Sequence, residues 1–178
     1  MYAPKSIYTR IALETLLAYL KGGDTDELYV ENVPDELFEI RRGCFVSLHL
    51  TSGELRGCIG TIEPVEENLY KEIVRNAVSS ASRDSRFSPV TLDEMDGIEI
   101  SVDVLSEAET VFSPEELDPA KYGLIISDGN YRRGILLPGL EGVDTVEQQI
   151  SIVKRKAGLE KYDDGALKYY RFTSKRYY

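Results

Sequence analysis

The sequence predicts an α+β fold in which helices flank a mixed, mostly antiparallel sheet. Three observations support this class. Apolar residues recur at helical spacing in some segments, they alternate or cluster at strand spacing in others, and glycine-containing turns join neighbouring strands. Such hairpins favour antiparallel pairing, because parallel strands need a long crossover connection. A chain of 178 residues can also bury a core without disulfides or a metal.

Three helices are expected, each with an apolar stripe at a spacing of three or four residues. Their spans are Ile7–Leu20, residues 66–82, and a segment from the Asp144-Thr145 cap to the closing Gly158. The acidic segment 24–39 is expected to be a loop. The segment 154–178 carries eight Lys or Arg against three Asp or Glu, which fits either a solvated helix end with a surface strand or a contact with an acidic partner.

Strands are expected between and after these helices. Their spans are residues 44–51, 54–62, 98–105, 122–127, 132–137 and 169–173. Ser52-Gly53 would close the first hairpin and Asp128-Gly129-Asn130 the second. The run Leu124-Ile125-Ile126 lacks alternation, so both faces of that strand are expected to be covered.

Composition argues against several functional classes. The 21 Lys and Arg against 31 Asp and Glu give a net charge of −10, which repels nucleic acid. One histidine and two cysteines are too few for a structural zinc site, and no dinucleotide or phosphate-loop pattern occurs. No long apolar run predicts a membrane span or signal peptide. We therefore expect a cytoplasmic protein with reduced thiols and no cofactor or metal.

The first hairpin gathers the side chains with the most chemistry. With a two-residue turn at Ser52-Gly53, His49 would face Arg56 and Ser47 would face Cys58, all four on one face. A thiol beside a guanidinium and an imidazole forms thiolate more readily and becomes a better nucleophile.

Other interpretations of this hairpin remain open. A loop one residue longer would turn Cys58 towards the apolar set. Cys58 could equally be a small buried hydrophobe, with Arg56 in a surface ion pair. Gly57 and Gly60 leave space for a ligand or for another backbone, and Cys44 is interpreted as structural.

The segment Leu55-Arg56-Gly57-Cys58-Ile59-Gly60-Thr61 resembles the signature of the AMMECR domain family, to which protein A of the AmmeMemoRadiSam system belongs. Further similar segments follow in the family's order: Gly43–Leu48, Asn76-Ala77, Asp84–Phe87, Ile100–Leu105, Gly123–Ile125, Arg133–Pro138 and Arg155–Gly158. Two positions depart from the family. Ser88-Pro89 stands where relatives have two prolines, and relatives carry other residues at His49.

The resemblance implies that residues 1–178 form one AMMECR domain of two lobes with a cleft beside the cysteine. Members are often fused behind a Memo-like domain, so this chain could equally be the C-terminal part of a longer fusion protein. By association, the resemblance implies two partners: a Memo-like protein similar to extradiol dioxygenases, and a radical SAM enzyme.

Two hypotheses about function follow. In the first, the domain is an enzyme or binds a small ligand. Its catalytic residues would be Cys58 as nucleophile or acid and Arg56 as the group that holds an anion, with His49 as a third candidate. The further ligand-binding candidates are Ser47, Gly57, Gly60, Arg86 and Arg133. Arg86 would bind a carboxylate or phosphate, or else pin a loop together with Asp84. In the second hypothesis, the domain is a non-catalytic adaptor for the Memo-like partner. Glu99, Ser101 and Asp103 share one strand face, but no partner at known distance identifies an acid/base pair.

Overall fold

The computed structural model describes residues 2–178 and confirms the α+β class, with two four-stranded sheets and flanking helices. The chain divides into two compact units. The first extends to Leu105 and also includes Lys175–Tyr178, and the second is Ser106–Ser174.

The first unit contains the sheet that carries the cysteine segment. Its strands are β1 (Cys44–Leu50), β2 (Leu55–Gly60), β3 (Ile98–Leu105) and β8 (Ser174–Tyr177), in the order β2-β1-β3-β8. Its helices are α1 (Ile7–Leu20), α2 (Glu36–Glu39) and α3 (Leu69–Ser82). Strand β1 is central and antiparallel to both β2 and β3. The cysteine segment therefore occupies an edge strand.

One face of this sheet packs on the helices. Cys44, Val46 and Leu48 alternate along β1 and are fully buried with apolar side chains of α1 and α3. Helix α3 begins at Leu69, three residues later than expected, because the Asn68 side chain caps it by accepting the Lys71 N–H. The helix side of the sheet is thus a closed apolar core, and the opposite face carries the polar residues of β1.

The second unit has its own sheet and core. Its elements are β4 (Glu109–Val111), β5 (Gly123–Ser127), β6 (Arg133–Leu136), α4 (Val146–Ala157) and β7 (Lys168–Phe172), with antiparallel sheet order β4-β7-β5-β6. Leu124, Ile125 and Ile126 are fully buried, which confirms the expectation for that run.

One short α-helix and two short strands are absent from the spans that the sequence predicts. Helix α2 lies inside the expected loop, and β4 and β8 were not anticipated. Each has only three or four residues, too few for the periodicity of its apolar residues to be recognised. The helices and longer strands fall close to their predicted spans.

Candidate functional site

Cys58 lies near the middle of β2, opposite Ser47 of β1. The Ser47 hydroxyl donates to the Cys58 Sγ at 3.2 Å. Ser47 is buried, whereas Cys58 is partly exposed. The predicted pairing of these two residues is confirmed, and it places the partly exposed Cys58 beside a buried hydroxyl.

The predicted pairing of His49 with Arg56 is wrong, because the hairpin loop is longer than two residues. Leu50 N–H donates to the Glu54 carbonyl, so the loop contains the three residues 51–53. A β-bulge then makes Arg56 an extra residue: His49 pairs with Leu55, and Leu48 pairs with Gly57. The bulge cancels the shift, which is why Cys58 still faces Ser47.

A row of small polar side chains crosses the sheet at Cys58. Ser47 pairs with Cys58 on one side and with Ser101 of β3 on the other. The Ser101 side chain is 3% exposed, and its Oγ has no hydrogen-bond partner within residues 2–178. Buried hydroxyls are nearly always hydrogen-bonded, so an unpaired one beside a cysteine needs an explanation.

An ion pair and the histidine share this polar face. Arg176 of β8 binds the buried Asp103 carboxylate through Nε at 2.9 Å and Nη2 at 2.9 Å. His49 lies further along β1, opposite Glu99. Burial, with a smaller contribution from the Arg176 charge, lowers the pKa of His49, which favours the neutral imidazole. The sequence indicates Asp103 through its place on the β3 face. It does not indicate Arg176, which is one of several basic residues in the segment 154–178.

Asp84 and Arg86 complete the free edge of β2. Asp84 Oδ2 accepts the Cys58 main-chain N–H at 2.9 Å, and Arg86 Nη2 donates to the Cys58 carbonyl at 3.5 Å. Arg86 also binds both Asp84 oxygens, at 2.9 and 2.7 Å. The Arg86 guanidinium holds the pKa of Asp84 well below its usual range. The pair therefore takes the place of a neighbouring strand at Cys58.

The Arg56 guanidinium bonds to groups outside the row formed by Cys58, Ser47 and Ser101. Its Nε and Nη2 bind the Glu94 carboxylate at 2.8 and 3.1 Å, and its Nη1 donates to the Ser88 carbonyl at 3.0 Å. The Arg56 side chain is 12% exposed. The hydrogen bonds from Arg56 are the main reason why the pKa of Glu94 lies below its ordinary value. Its donors thus tie the bulge to the segment after α3.

The space beside both motif glycines is filled by the protein itself. A side chain at Gly57 would collide with the Ser80 carbonyl of α3, and one at Gly60 would collide with the Phe45 ring. Gly57 thus lets α3 approach β2 closely. Since side chains alternate along a strand, Cys58 points to the face opposite α3.

Comparison with known proteins assigns the chain to a family. A model of the AMMECR1 family covers residues 9–177. The chain belongs to the AMMECR1 family. A Thermotoga maritima protein is 50% identical over 96% of each chain. Protein CA_C1420 of Clostridium acetobutylicum is 44% identical over 95% of this chain but only 36% of its own length. The crystal structure of uncharacterized protein PH0010 from Pyrococcus horikoshii has a TM-score of 0.81 at 30% identity, covering 95% of this chain and 88% of that one.

A buried polar cluster supports the end of the segment Leu55–Thr61. Glu72 of α3 is fully buried, accepts the Thr61 hydroxyl, and accepts the Val65 and Glu66 N–H groups at 2.8 Å each. Asn76 donates to the Cys44 carbonyl at 3.0 Å and to Thr61 Oγ1 at 3.1 Å. Sequence reasoning assigned no role to Glu72, because a glutamate in an amphipathic helix is usually solvated.

Arg133 and Cys44 are the other residues of the AMMECR1 domain that the sequence singled out. Arg133 is exposed at the start of β6, opposite Ser127, in the second unit. Cys44 is fully buried, and burial raises the pKa of its thiol to about 12. Among residues 2–178, no three His, Cys, Asp or Glu side chains are grouped to hold a metal ion. No helix in that range is long and apolar enough to cross a membrane.

Proposed function

We propose that this AMMECR1 domain binds a small organic ligand on the polar face of its first sheet, and that the Cys58 thiol contacts the ligand as a nucleophile or proton donor. The observation that carries the proposal is the row of Cys58, Ser47 and Ser101, in which the Ser101 hydroxyl is buried without a partner. An unpaired buried hydroxyl costs free energy, and a ligand group that reaches it through a local opening of this face would recover that cost by hydrogen-bonding to it.

Each residue near Cys58 has its own role in this proposal. Ser47 donates to the Cys58 Sγ and would hold the thiol in a fixed orientation towards the ligand. Arg86 is 56% exposed at its side chain, and its Nη1 makes no hydrogen bond within the described chain, so it retains donors for a carboxylate or phosphate. Arg56 has its donors engaged by Glu94 and Ser88, which favours a positioning role. His49 stays a candidate for ligand contact on this face. Arg133, in the second unit, stays a separate candidate for binding a ligand group.

The experiment compares the small molecules that the purified protein retains. Native mass spectrometry after incubation with a metabolite extract would be run on the wild type, Cys58→Ser, Ser101→Ala and Ser52→Ala. Ser52 is an exposed turn serine whose hydroxyl bonds only Glu54 among the described residues, so it is the matched control. We expect a compound retained by the wild type and the control and lost from the other two variants. Identical retention by all four proteins, or retention by none, would contradict the proposal.

We propose an adaptor role as the second candidate. One observation favours it: in the Clostridium acetobutylicum relative, the matching region is 36% of a longer chain, so that domain works beside covalently attached neighbours. The partners that the resemblance suggests are a Memo-like protein and a radical SAM enzyme, in the cytoplasm. Association with the Memo-like protein of the same organism, measured at micromolar concentration, would support this role. An absence of association at that concentration would contradict the adaptor role.

A further inference from the structure

We propose that a groove in the second unit binds an extended protein segment that carries an apolar side chain next to a Lys or Arg. The groove consists of an apolar cavity and an adjoining acidic cavity, both formed by residues of the unit Ser106–Ser174. It is independent of the Cys58 face, so the two proposals stand or fall separately.

The apolar cavity has the size of an anchoring pocket. Its volume is about 390 Å³, and its walls include Val111, Leu117, Ile150 and Leu167. Phe112 also lines it and is 88% exposed, which is unusual for a large aromatic side chain. A rigid aromatic at the edge of an apolar cavity is a typical contact point for a partner side chain.

The second cavity adds negative charge beside the apolar one. It measures about 370 Å³ and shares Ile150 and Asp164 with the first. Glu147 and Glu160 line it, both are exposed, and neither has an ion pair among residues 2–178. The positive charge of Lys154 is engaged by Asp164 at 2.9 Å and by the Tyr162 carbonyl at 3.0 Å. The groove therefore presents net negative charge to its occupant.

The sheet edge explains why an extended segment fits better than a free small molecule. Strand β4 is an edge strand of the second sheet, and its last residue, Val111, lines the apolar cavity. Edge strands can pair with an added strand through their main chain. A segment paired with β4 would place a side chain in the apolar cavity and a neighbouring basic residue beside Glu147 or Glu160.

The test is a selection of short random peptides displayed on phage, performed with the full chain. Binding clones are counter-selected on the Glu147→Lys/Glu160→Lys double variant, whose two sites are exposed and unpaired, so its fold should be retained. We expect enriched clones with an apolar residue near Lys or Arg. Their affinity should fall about tenfold or more on the double variant and on Phe112→Ala. The loss on the double variant should become smaller as the salt concentration rises, because salt screens the interaction between charges.

A matched control separates net charge from the groove. Glu27→Lys/Glu54→Lys changes the charge equally at exposed sites in the first unit and should leave binding unchanged. The proposal is overturned if no clone distinguishes the wild type from the groove variants. It is also overturned if the enriched clones lack basic residues, or if both charge variants weaken binding equally.

Discussion

The Asp84 carboxylate accepts the main-chain N–H of Cys58 at 2.9 Å, from the side of β2 where no other strand of residues 2–178 pairs. An edge strand leaves every second N–H without a sheet partner. Asp84, held by Arg86, satisfies that group at the cysteine. The reactive candidate thus lies on an edge strand whose main chain is locally fixed, which suits a residue that must keep its geometry.

Removing this carboxylate should destabilise the protein. Asp84→Ala leaves the Cys58 N–H without its acceptor, and we expect a loss of about 2 kcal/mol in the free energy of unfolding. Asp84→Asn is the matched variant, because it keeps an acceptor of the same shape and loses the charge. Asp84→Asn should lower the free energy of unfolding by less than Asp84→Ala does. Urea denaturation measures both, and equal stability of all three proteins would contradict the assigned bond.

The single histidine gives a pH dependence that can be isolated. Burial lowers the pKa of His49 in the folded state, below the value of about 6.5 in the unfolded chain. Below that pH, the unfolded state takes up a proton that the folded state does not. The stability due to His49 is therefore present above about pH 6.5 and falls as pH decreases towards the folded pKa.

The measurement compares the wild type with His49→Gln at pH 7.5 and 5.5. Other titrations are common to both proteins, so their difference isolates His49. We expect the wild type to lose more free energy of unfolding than the variant on acidification. An equal loss would mean that the environment of the imidazole, which includes Glu99, Asp103 and Arg176, does not favour the neutral form.

The Arg56–Glu94 pair should contribute measurable stability. Arg56→Lys cannot reproduce two parallel bonds to Glu94 and one to the Ser88 carbonyl, and we expect a loss of about 2 kcal/mol. A double-mutant cycle with Arg56→Ala and Glu94→Ala should show strong coupling. Additive effects would contradict a positioning role and return Arg56 to the set of ligand-binding candidates.

A side chain at Gly57 should destabilise the protein. Gly57→Ala places a methyl group against the Ser80 carbonyl in α3, and overpacking of this kind costs about 2 kcal/mol. Gly97→Ala is the control, because a methyl group at that position would have no other group of residues 2–178 within 4 Å. Thermal denaturation should therefore show a lower midpoint for the Gly57 variant than for the Gly97 variant. Equal midpoints would mean that α3 can move away from β2.

The sequence predicts the parts of the site that depend on residues close to one another along the chain. The pairing of Ser47 with Cys58 followed from the hairpin, and the buried run Leu124–Ile126 followed from its lack of alternation. The bulge at Arg56 was missed, because a three-residue loop and a two-residue loop share the same Ser-Gly signal.

The contacts that make the site specific join distant segments. Asp84 and Cys58 are 26 residues apart, and Arg176 and Asp103 are 73 apart. No periodicity within one segment encodes such pairs. The unpaired Ser101 hydroxyl was equally invisible, because alternation placed Ser101 on a face but did not indicate what that face lacks.

Alkylation of the native protein, read by peptide mass spectrometry, tests the central claim most directly. Cys44 is the internal control, because it is fully buried and its pKa is raised to about 12. We predict that Cys58 is labelled in the folded protein, that Cys44 is labelled only after unfolding, and that Asp84→Ala changes the rate at Cys58. Labelling of Cys58 only after unfolding would identify it as a packing residue and contradict the proposed site.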